Sequence, residues 1–186
     1  MLIEKSFYFA RHGESEHNER GICAGGKTDS PLTAKGIAQA HSLKDKLIPL
    51  GIDHVISSPM IRAKRTAEIA GGRPPLIDEN LREIDLGVFE DKPVNGIVEY
   101  MIDLPYHLPV PGGESKFAFT TKITDSFNRW LSTYEGNLLF VAHGFVYGTL
   151  LTILGMPLRS SDLELKNSAL VHFHHNGICW KVTPLS

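Results

Sequence analysis

Two histidines in the chain occur in the same local pattern, an apolar run that is followed by His-Gly. The first run leads into Arg11-His12-Gly13, and the second leads into His143-Gly144. Apolar runs of this length are typical of buried parallel strands, and ligands of open α/β sheets bind at the carboxyl ends of such strands. A histidine held there can act as a nucleophile or a base, and a neighbouring arginine can hold an oxyanion.

The first pattern by itself also fits an ordinary strand end with an exposed histidine. We expect Gly13 to allow a sharp turn and a close approach of a substrate to the backbone. The second pattern strengthens the chemical interpretation, because two strand ends can face one pocket. One histidine would then attack while the other holds an oxyanion.

Two further segments place charged residues where they can serve catalysis. Arg62 follows a predicted strand and lies in the first turn of the next helix, where the helix dipole and a guanidinium together suit a phosphate. A solvated basic face is the alternative, and we assign Lys64 and Arg65 to it. The segment 81–90 offers a carboxylate flanked by apolar residues, which raise the pKa of a carboxyl group and favour a general acid. A strand with surface charges is the alternative there.

The periodicity of apolar residues and the glycine and proline breaks predict a mixed α/β fold. Predicted strands cover 7–11, 54–58, 76–77, 137–142, 168–175 and 178–183, with 81–86 as a strand or an extended turn. Predicted helices cover 33–50, with Thr33 as N-cap, and 59–70, 97–102, 115–133 and 144–154, the last of which Gly155 and Pro157 end. Residues 15–30 are predicted as a loop. Asn176-Gly177 predicts a hairpin, so the sheet contains an antiparallel element beside its parallel crossovers.

Composition narrows the functional classes. The 186 residues carry a net charge of −2, 42% hydrophobic and 22% charged residues, which predicts one soluble domain over 1–186 without a nucleic-acid or membrane partner. The two cysteines lie far apart, so we expect free thiols and a cytoplasmic location. No carboxylate accompanies the cluster His172, His174 and His175, so we predict no metal site there. The oligomeric state stays open.

These motifs, in this order, resemble the histidine phosphatase superfamily with its phosphoglycerate mutase-like fold. The residues that carry the resemblance are Arg11-His12-Gly13-Glu14, Asn18, 26–36, 58–68, Leu81-Arg82-Glu83 and Val141-Ala142-His143-Gly144. The resemblance spans the chain almost from end to end. It implies a three-layer sandwich, in which helices cover both faces of a mixed, mostly parallel sheet.

The resemblance also implies a two-step phosphoryl transfer without a cofactor or a metal. His12 resembles the nucleophile that becomes phosphohistidine, and Glu83 resembles the proton donor to the leaving alcohol. Arg11, Arg62 and His143 resemble the positive pocket around the phosphoryl oxygens. The residues expected to line the substrate pocket are Asn18, Gly13, Ala24, Gly25 and Gly144.

The segment 90–113 predicts a lid, because it is long, irregular and partly apolar. Between 88 and 117 the strong bases are Lys92 and Lys116, against five acids: Glu90, Asp91, Glu99, Asp103 and Glu114. Such a lid disfavours a bisphosphate, and its apolar residues favour a substrate with an apolar body. We therefore expect a phosphatase for a small phosphomonoester, similar to broad-specificity or α-ribazole-phosphate phosphatases. A cofactor-dependent phosphoglycerate mutase and a phosphoprotein phosphatase or binder of phosphorylated partners are the alternatives.

Overall fold

A six-stranded sheet forms the middle layer of the fold. The computed structural model describes residues 1–156 and 165–185. The strands are β1 (Phe7–Arg11), β2 (His54–Ser57), β3 (Leu76–Ile77), β4 (Leu138–Ala142), β5 (Leu170–His175) and β6 (Trp180–Leu185). Their order is β3-β2-β4-β1-β5-β6. The first three pairings along this order are parallel and the last two are antiparallel, which confirms the predicted mixed sheet.

Helices cover both faces of the sheet, as expected for a three-layer sandwich. They are α1 (Glu16–Arg20), α2 (Ala34–Leu47), α3 (Ile61–Gly71), α4 (Ile97–Asp103), α5 (Lys116–Thr133) and α6 (Gly144–Ile153). Successive residues of β4 point to opposite faces. Phe140 packs with α5 and α6, whereas Leu139 and Val141 pack with α2 and α3. Within the described ranges, no helix is long and apolar enough to cross a membrane.

Several element boundaries differ from the prediction. Residues 15–30 are not all loop, because Ser15 caps α1 in a capping box with Asn18. The helix expected from Pro59 begins at Ile61 with Met60 as N-cap, so Pro59 lies in the preceding turn. Residues 81–86 form no strand; 3-10 turns at Glu79–Leu81 and Gly87–Phe89 flank an extended stretch. Pro157 lies outside the described residues.

Other local predictions are confirmed. The Thr33 hydroxyl accepts a hydrogen bond from the Gly36 amide at 3.0 Å and caps α2. Asn176-Gly177 lies in the turn between β5 and β6, where Gly177 has a φ of 89°. The structure also contains the short α4, which falls inside the segment 90–113.

The Asp78 carboxylate ties the edge strand β3 to α5. One carboxylate oxygen accepts hydrogen bonds from Ser126, Arg129 and Trp130 at 2.5–2.7 Å, and the other accepts the Asn80 amide at 3.0 Å. Burial raises the pKa of Asp78, but these hydrogen bonds outweigh burial and leave the pKa below its ordinary value. The ionised carboxylate therefore stabilises the folded chain.

We predict that Asp78→Asn lowers the free energy of unfolding by about 1–3 kcal/mol at pH 7, because one acceptor and the charge are lost. The pKa of Asp78 is depressed in the folded state, so its contribution is present above the unfolded pKa. The contribution is lost as pH falls through the folded pKa. Urea unfolding at several pH values should show the difference between variant and wild type shrinking in acid.

Asp45→Asn, at an exposed position on α2, is the matched control and should change the free energy by less than about 0.5 kcal/mol. An Asp78→Asn protein as stable as the control would show that the carboxylate does not tie β3 to α5.

Candidate active site

His12 lies at the carboxyl end of β1 and is held in one tautomer. Its Nδ1 is 2.7 Å from the Gly13 carbonyl oxygen, and a carbonyl only accepts, so Nδ1 carries the hydrogen. The Nε2 lone pair is left free for attack on an electrophile. Burial, then Arg62, then Arg11 hold the pKa of His12 well below its ordinary value, against the hydrogen bond to Gly13. The imidazole is therefore neutral, as a nucleophile must be.

Gly13 serves helix packing rather than a sharp turn. Its φ does not lie in the left-handed region. A Cβ at this position would lie 2.6 Å from the carbonyl oxygen of Gly36 in α2, and the Gly13 amide donates to the Thr66 hydroxyl at 2.9 Å. Gly13 is not among the residues that line the neighbouring cavity. The close approach of Gly36 in α2 explains why this position needs a glycine, and a role of Gly13 at the substrate pocket stays a prediction.

His143 stands beside His12 because β1 and β4 are parallel neighbours, with Arg11 opposite Ala142. The two imidazole centroids are 5.2 Å apart. His143 Nε2 is 2.8 Å from the Ser58 hydroxyl, and its Nδ1 has no hydrogen-bond partner in the structure as described. Burial, then Arg62, hold the pKa of His143 well below its ordinary value. The structure thus brings both predicted histidines to one place.

The two arginines make different contacts. Arg11 lines the cavity and donates through one terminal nitrogen to the Leu165 carbonyl. Arg62 is fully buried and pairs with Asp29 at 2.9 Å. Its terminal nitrogens also donate to the carbonyls of Ala24, Gly25 and Thr28 at 3.1–3.3 Å. The charge of Arg62 lowers the pKa of His12, so the two side chains are near each other. Four of the five N–H donors of Arg62, however, hold the loop 24–29.

Glu83 faces the start of α6. Its carboxylate oxygens accept the amides of Ile84 and Phe145, each at 3.0 Å. Burial raises the pKa of Glu83 above its ordinary value, against the opposing effects of these two hydrogen bonds, Arg62 and Arg11. The predicted general acid is therefore buried, and its carboxyl group favours the protonated form more than a free glutamate does.

Asn18 lines the same cavity, and an asparagine that sequence reasoning missed orients it. The Asn18 side-chain oxygen accepts the Ser15 amide at 3.2 Å and Asn167 Nδ2 at 3.1 Å. Asn167 Nδ2 also donates to the His12 carbonyl at 3.1 Å. With its oxygen occupied, Asn18 has its NH₂ group available as a donor. The sequence feature that could have indicated Asn167 is the polar pair Asn167-Ser168 directly before β5. The first residue of β5 pairs with the end of β1, next to His12.

A cavity of about 600 Å³ borders Arg11, Asn18 and Glu83, whereas His12, Arg62 and His143 are not among its described lining residues. It is lined by Arg11, Asn18, Ile22, Cys23, Ala24, Glu83, Leu86, Val94, Asn95, Gly96, Val98, Glu99, Gly144 and Phe145. Of the predicted pocket residues, Asn18, Ala24 and Gly144 line it. Gly25 does not; its amide donates to Glu90 and its carbonyl accepts from Arg62.

Among the acids of the segment 88–117, Glu99 is the one that lines this cavity. Glu90 accepts backbone amides, Asp91 contacts His17 and Thr28, and Glu114 pairs with Lys122 at 3.0 Å. Three of the five acids counted along the segment therefore bind other groups of the protein and do not line the cavity.

A second, apolar cavity of about 210 Å³ shares Phe145 with the first. Met101, Ile102 and Tyr106, three of the apolar residues of the segment 90–113, line it. Lys116 also lines it and donates to the carbonyls of Met101 and Ile102 at the end of α4.

The three histidines of β5 do not form a metal centre in the structure. His172 stacks on Tyr8 with centroids 4.5 Å apart, and His174 Nδ1 lies 3.1 Å from the Ser6 hydroxyl. The residues that the structure describes contain no group of three or more His, Cys, Asp or Glu side chains able to hold a metal ion.

Comparison with known proteins gives one consistent family. Residues 7–185 match the model of the histidine phosphatase superfamily (branch 1). A probable phosphoglycerate mutase GpmB from Salmonella paratyphi B is 36% identical over 93% of this chain and 86% of its own.

Solved structures agree. TTHB049 from Thermus thermophilus superimposes with a TM-score of 0.77 at 30% identity, over 98% of this chain and 99% of its own. The alpha-ribazole phosphatase from Shigella flexneri does so with a TM-score of 0.76 at 25% identity, over 97% and 96%. The chain therefore belongs to the histidine phosphatase superfamily, whose members are phosphatases or mutases.

Proposed function

We propose that this chain is a metal-independent phosphatase that hydrolyses a small phosphomonoester through a phosphohistidine at His12. The observation that carries the proposal is the charge of the 600 Å³ cavity. Among the described lining residues, Arg11, the chain neighbour of His12, is the one cation, and Glu83 and Glu99 carry the two carboxyl groups, while the other lining side chains are uncharged. This suits a substrate with one phosphate and a neutral or apolar body.

In the first step, His12 Nε2 attacks phosphorus while the bond from phosphorus to the ester oxygen breaks. Glu83 gives its proton to that oxygen, so a neutral alcohol leaves. In the second step, the Glu83 carboxylate takes a proton from water, and the water oxygen attacks phosphorus. The P–N bond breaks and returns neutral His12, inorganic phosphate and protonated Glu83.

Charge stabilisation in both steps falls to groups around His12. A transferring phosphoryl group spreads negative charge over three oxygens, so fixed cations and donors supply most of the catalysis. Arg11, Asn18 and Gly144 line the cavity, so we assign the Arg11 guanidinium, the Asn18 NH₂ group and the Gly144 amide to the phosphoryl oxygens, while the Phe145 amide is held by Glu83. Arg62 contributes its buried positive charge, and Nε is its one donor that the loop does not take.

The mutase alternative has a specific observation in its favour, the name of the 36% identical relative from Salmonella paratyphi B. A phosphoglycerate carries a carboxylate besides its phosphate, and a bisphosphate carries a second phosphate. Glu99 is in the lining of the same cavity, and a second anionic group bound there would meet its like charge, which is unfavourable. The charge of the lining therefore favours hydrolysis of a monophosphate.

We also propose that the segment 90–113 is the lid over the substrate. Val94 and Val98 line the larger cavity, and Met101, Ile102 and Tyr106 line the apolar one. Phe145 lines both cavities, so the apolar cavity lies next to the larger one, and we assign the apolar body of the substrate to it. A cytoplasmic location completes the proposal, since Cys179 is an exposed free thiol, as reducing compartments allow.

We predict that His12→Ala lowers kcat for p-nitrophenyl phosphate by more than about 1,000-fold, because the covalent path is lost. Wild type quenched in mid-turnover should carry phosphate on His12, detected by peptide mass spectrometry. His174→Ala, at an exposed histidine, is the control and should keep full activity. Substantial turnover by folded His12→Ala would exclude the phosphohistidine mechanism.

We predict a leaving-group signature for Glu83→Gln. Alkyl phosphates should lose about 100- to 10,000-fold in kcat, because an alkoxide leaves poorly without a proton. The loss on p-nitrophenyl phosphate should be much smaller, since nitrophenolate is a good leaving group. Glu79→Gln, at a surface carboxylate paired with Arg82, should change neither rate. Equal losses on both substrates would show that Glu83 is not the general acid.

The same pair of groups sets the pH dependence that we predict for wild type on alkyl phosphates. His12 must be unprotonated, and burial keeps its pKa well below the ordinary value, so activity falls only in more acidic solution. Glu83 must be protonated, and its raised pKa extends activity upward from the ordinary glutamate range. The profile of kcat/KM should peak on the acid side of neutral. The alkaline fall should disappear in Glu83→Gln.

We predict that a monophosphate with a ring or aliphatic body has a higher kcat/KM than 2,3-bisphosphoglycerate or fructose bisphosphate, by about tenfold or more. Glu99→Gln should raise kcat/KM for the bisphosphates more than for the monophosphate. Asp103→Asn, on the same helix but outside the cavity lining, is the control. A wild-type preference for bisphosphates, or efficient interconversion of phosphoglycerates, would favour the mutase.

A further inference from the structure

Glu90 holds four backbone amides with one carboxylate. One of its oxygens accepts the amides of Gly25 and Thr28 at 3.0 and 3.1 Å. The other accepts those of Lys27 and Leu86 at 3.3 and 3.1 Å. Three of these amides belong to the loop 24–29, and the fourth belongs to the extended stretch that follows Glu83. A carboxylate that accepts this many amides is fixed in place and fixes its donors.

Arg62 holds the same loop through the backbone carbonyls of the loop and the side chain of Asp29. It donates to the carbonyls of Ala24, Gly25 and Thr28 and pairs with the Asp29 side chain. The loop therefore has its amides directed to a carboxylate and its carbonyls directed to a guanidinium. The peptide dipoles between the two charges are aligned favourably with both, which stabilises the loop and leaves neither charge unpaired.

The packing around Gly25 shows how closely this arrangement is built. A Cβ on Gly25 would lie 2.6 Å from the Ile84 carbonyl oxygen and would overlap the Glu90 carboxylate. The Gly26 amide donates to that Ile84 carbonyl at 2.8 Å. The loop is thus joined directly to the chain beside Glu83, and Ala24 from the loop lines the cavity.

We propose that Glu90 is a positioning residue for phosphate binding, acting through the loop 24–29 on Arg62 and on the cavity wall at Ala24. This inference rests on the proposed function, in which the cavity beside Arg11 binds the phosphoryl group. Without the Glu90 carboxylate, the loop amides lose their acceptor and the loop can shift. Arg62, whose donors are taken up by that loop, then moves with it relative to His12. The expected defect lies in binding the phosphoryl group, which every substrate shares.

Glu90→Gln tests this inference, because the amide keeps the size but removes the charge and one acceptor. We expect kcat/KM to fall by about 10- to 100-fold, by the same factor for alkyl phosphates and p-nitrophenyl phosphate, with a rise in KM. Calorimetric titration with inorganic phosphate should show affinity weakened by a similar factor. This pattern differs from that of Glu83→Gln, whose loss depends on the leaving group.

Asp78→Asn is the matched control for a purely structural effect. Asp78 also accepts four hydrogen bonds but lies between β3 and α5, so its loss should lower stability and leave phosphate affinity unchanged. Where Glu90→Gln fails to fold, Glu90→Asp replaces it. The shorter side chain keeps the charge but cannot reach all four amides, so it should weaken phosphate binding too.

The titration also separates this inference from the proposed function. Failure of wild type to hydrolyse any monoester would overturn the proposed function, while a weaker phosphate affinity in the Glu90 variant would still support the positioning role. Unchanged phosphate affinity in a folded Glu90 variant would overturn the positioning role of Glu90. A loss confined to alkyl phosphates would overturn it as well, because the residue would then act through Glu83.

Discussion

Parallel pairing of β1 with β4 brings together the two histidines on which the proposed chemistry depends. Arg11 lies opposite Ala142, so both strands end at the same level and both histidines leave the sheet side by side. The Ala142 carbonyl accepts the His12 amide, which extends the pairing by one residue past β1. Helix α6 begins directly after His143, and α2 packs against Gly13 directly after His12, so both histidines are held in place. The remaining groups of the site are arranged around this fixed pair.

Burial then decides the protonation states. Two guanidinium groups and two imidazoles share one poorly solvated region, which favours neutral imidazoles. Burial also favours a protonated Glu83, although two amides and two arginines oppose it. A neutral imidazole at His12, the proposed nucleophile, and a carboxyl group at Glu83 that favours the protonated form, as the proposed acid needs, follow from the same burial. The arginines keep their charge because guanidinium does not release its proton in proteins, and Arg62 has Asp29 and three carbonyls as partners.

Much of this was predictable from the sequence, for physical reasons that are local. One buried strand that ends in His-Gly also fits an ordinary strand end, but two of them in one ordered set of motifs indicated a shared site, and Thr33 caps α2 as predicted. Asn176-Gly177 indicated the hairpin in the same way. What the sequence did not reveal depends on contacts between distant segments. Gly13 is required by Gly36, Asn18 is oriented by Asn167, and Arg62 is engaged by the loop 24–29.

The acids of the segment 90–113 show why a charge count along a chain is a weak guide to the charge that a substrate meets. Glu90 and Asp91 lie within ten residues of Glu99 along the chain. In the structure, however, Glu90 accepts hydrogen bonds from the loop 24–29, and Asp91 contacts His17. A carboxylate bonded to backbone amides has its charge largely compensated by their dipoles, so it repels a distant anion less than a solvated one nearby. Glu99 has no such set of donors among the described residues and lines the cavity. The charged groups that line the cavity of the proposed substrate are Arg11, Glu83 and Glu99, and only the fold determines that these, and not Glu90 or Asp91, lie there.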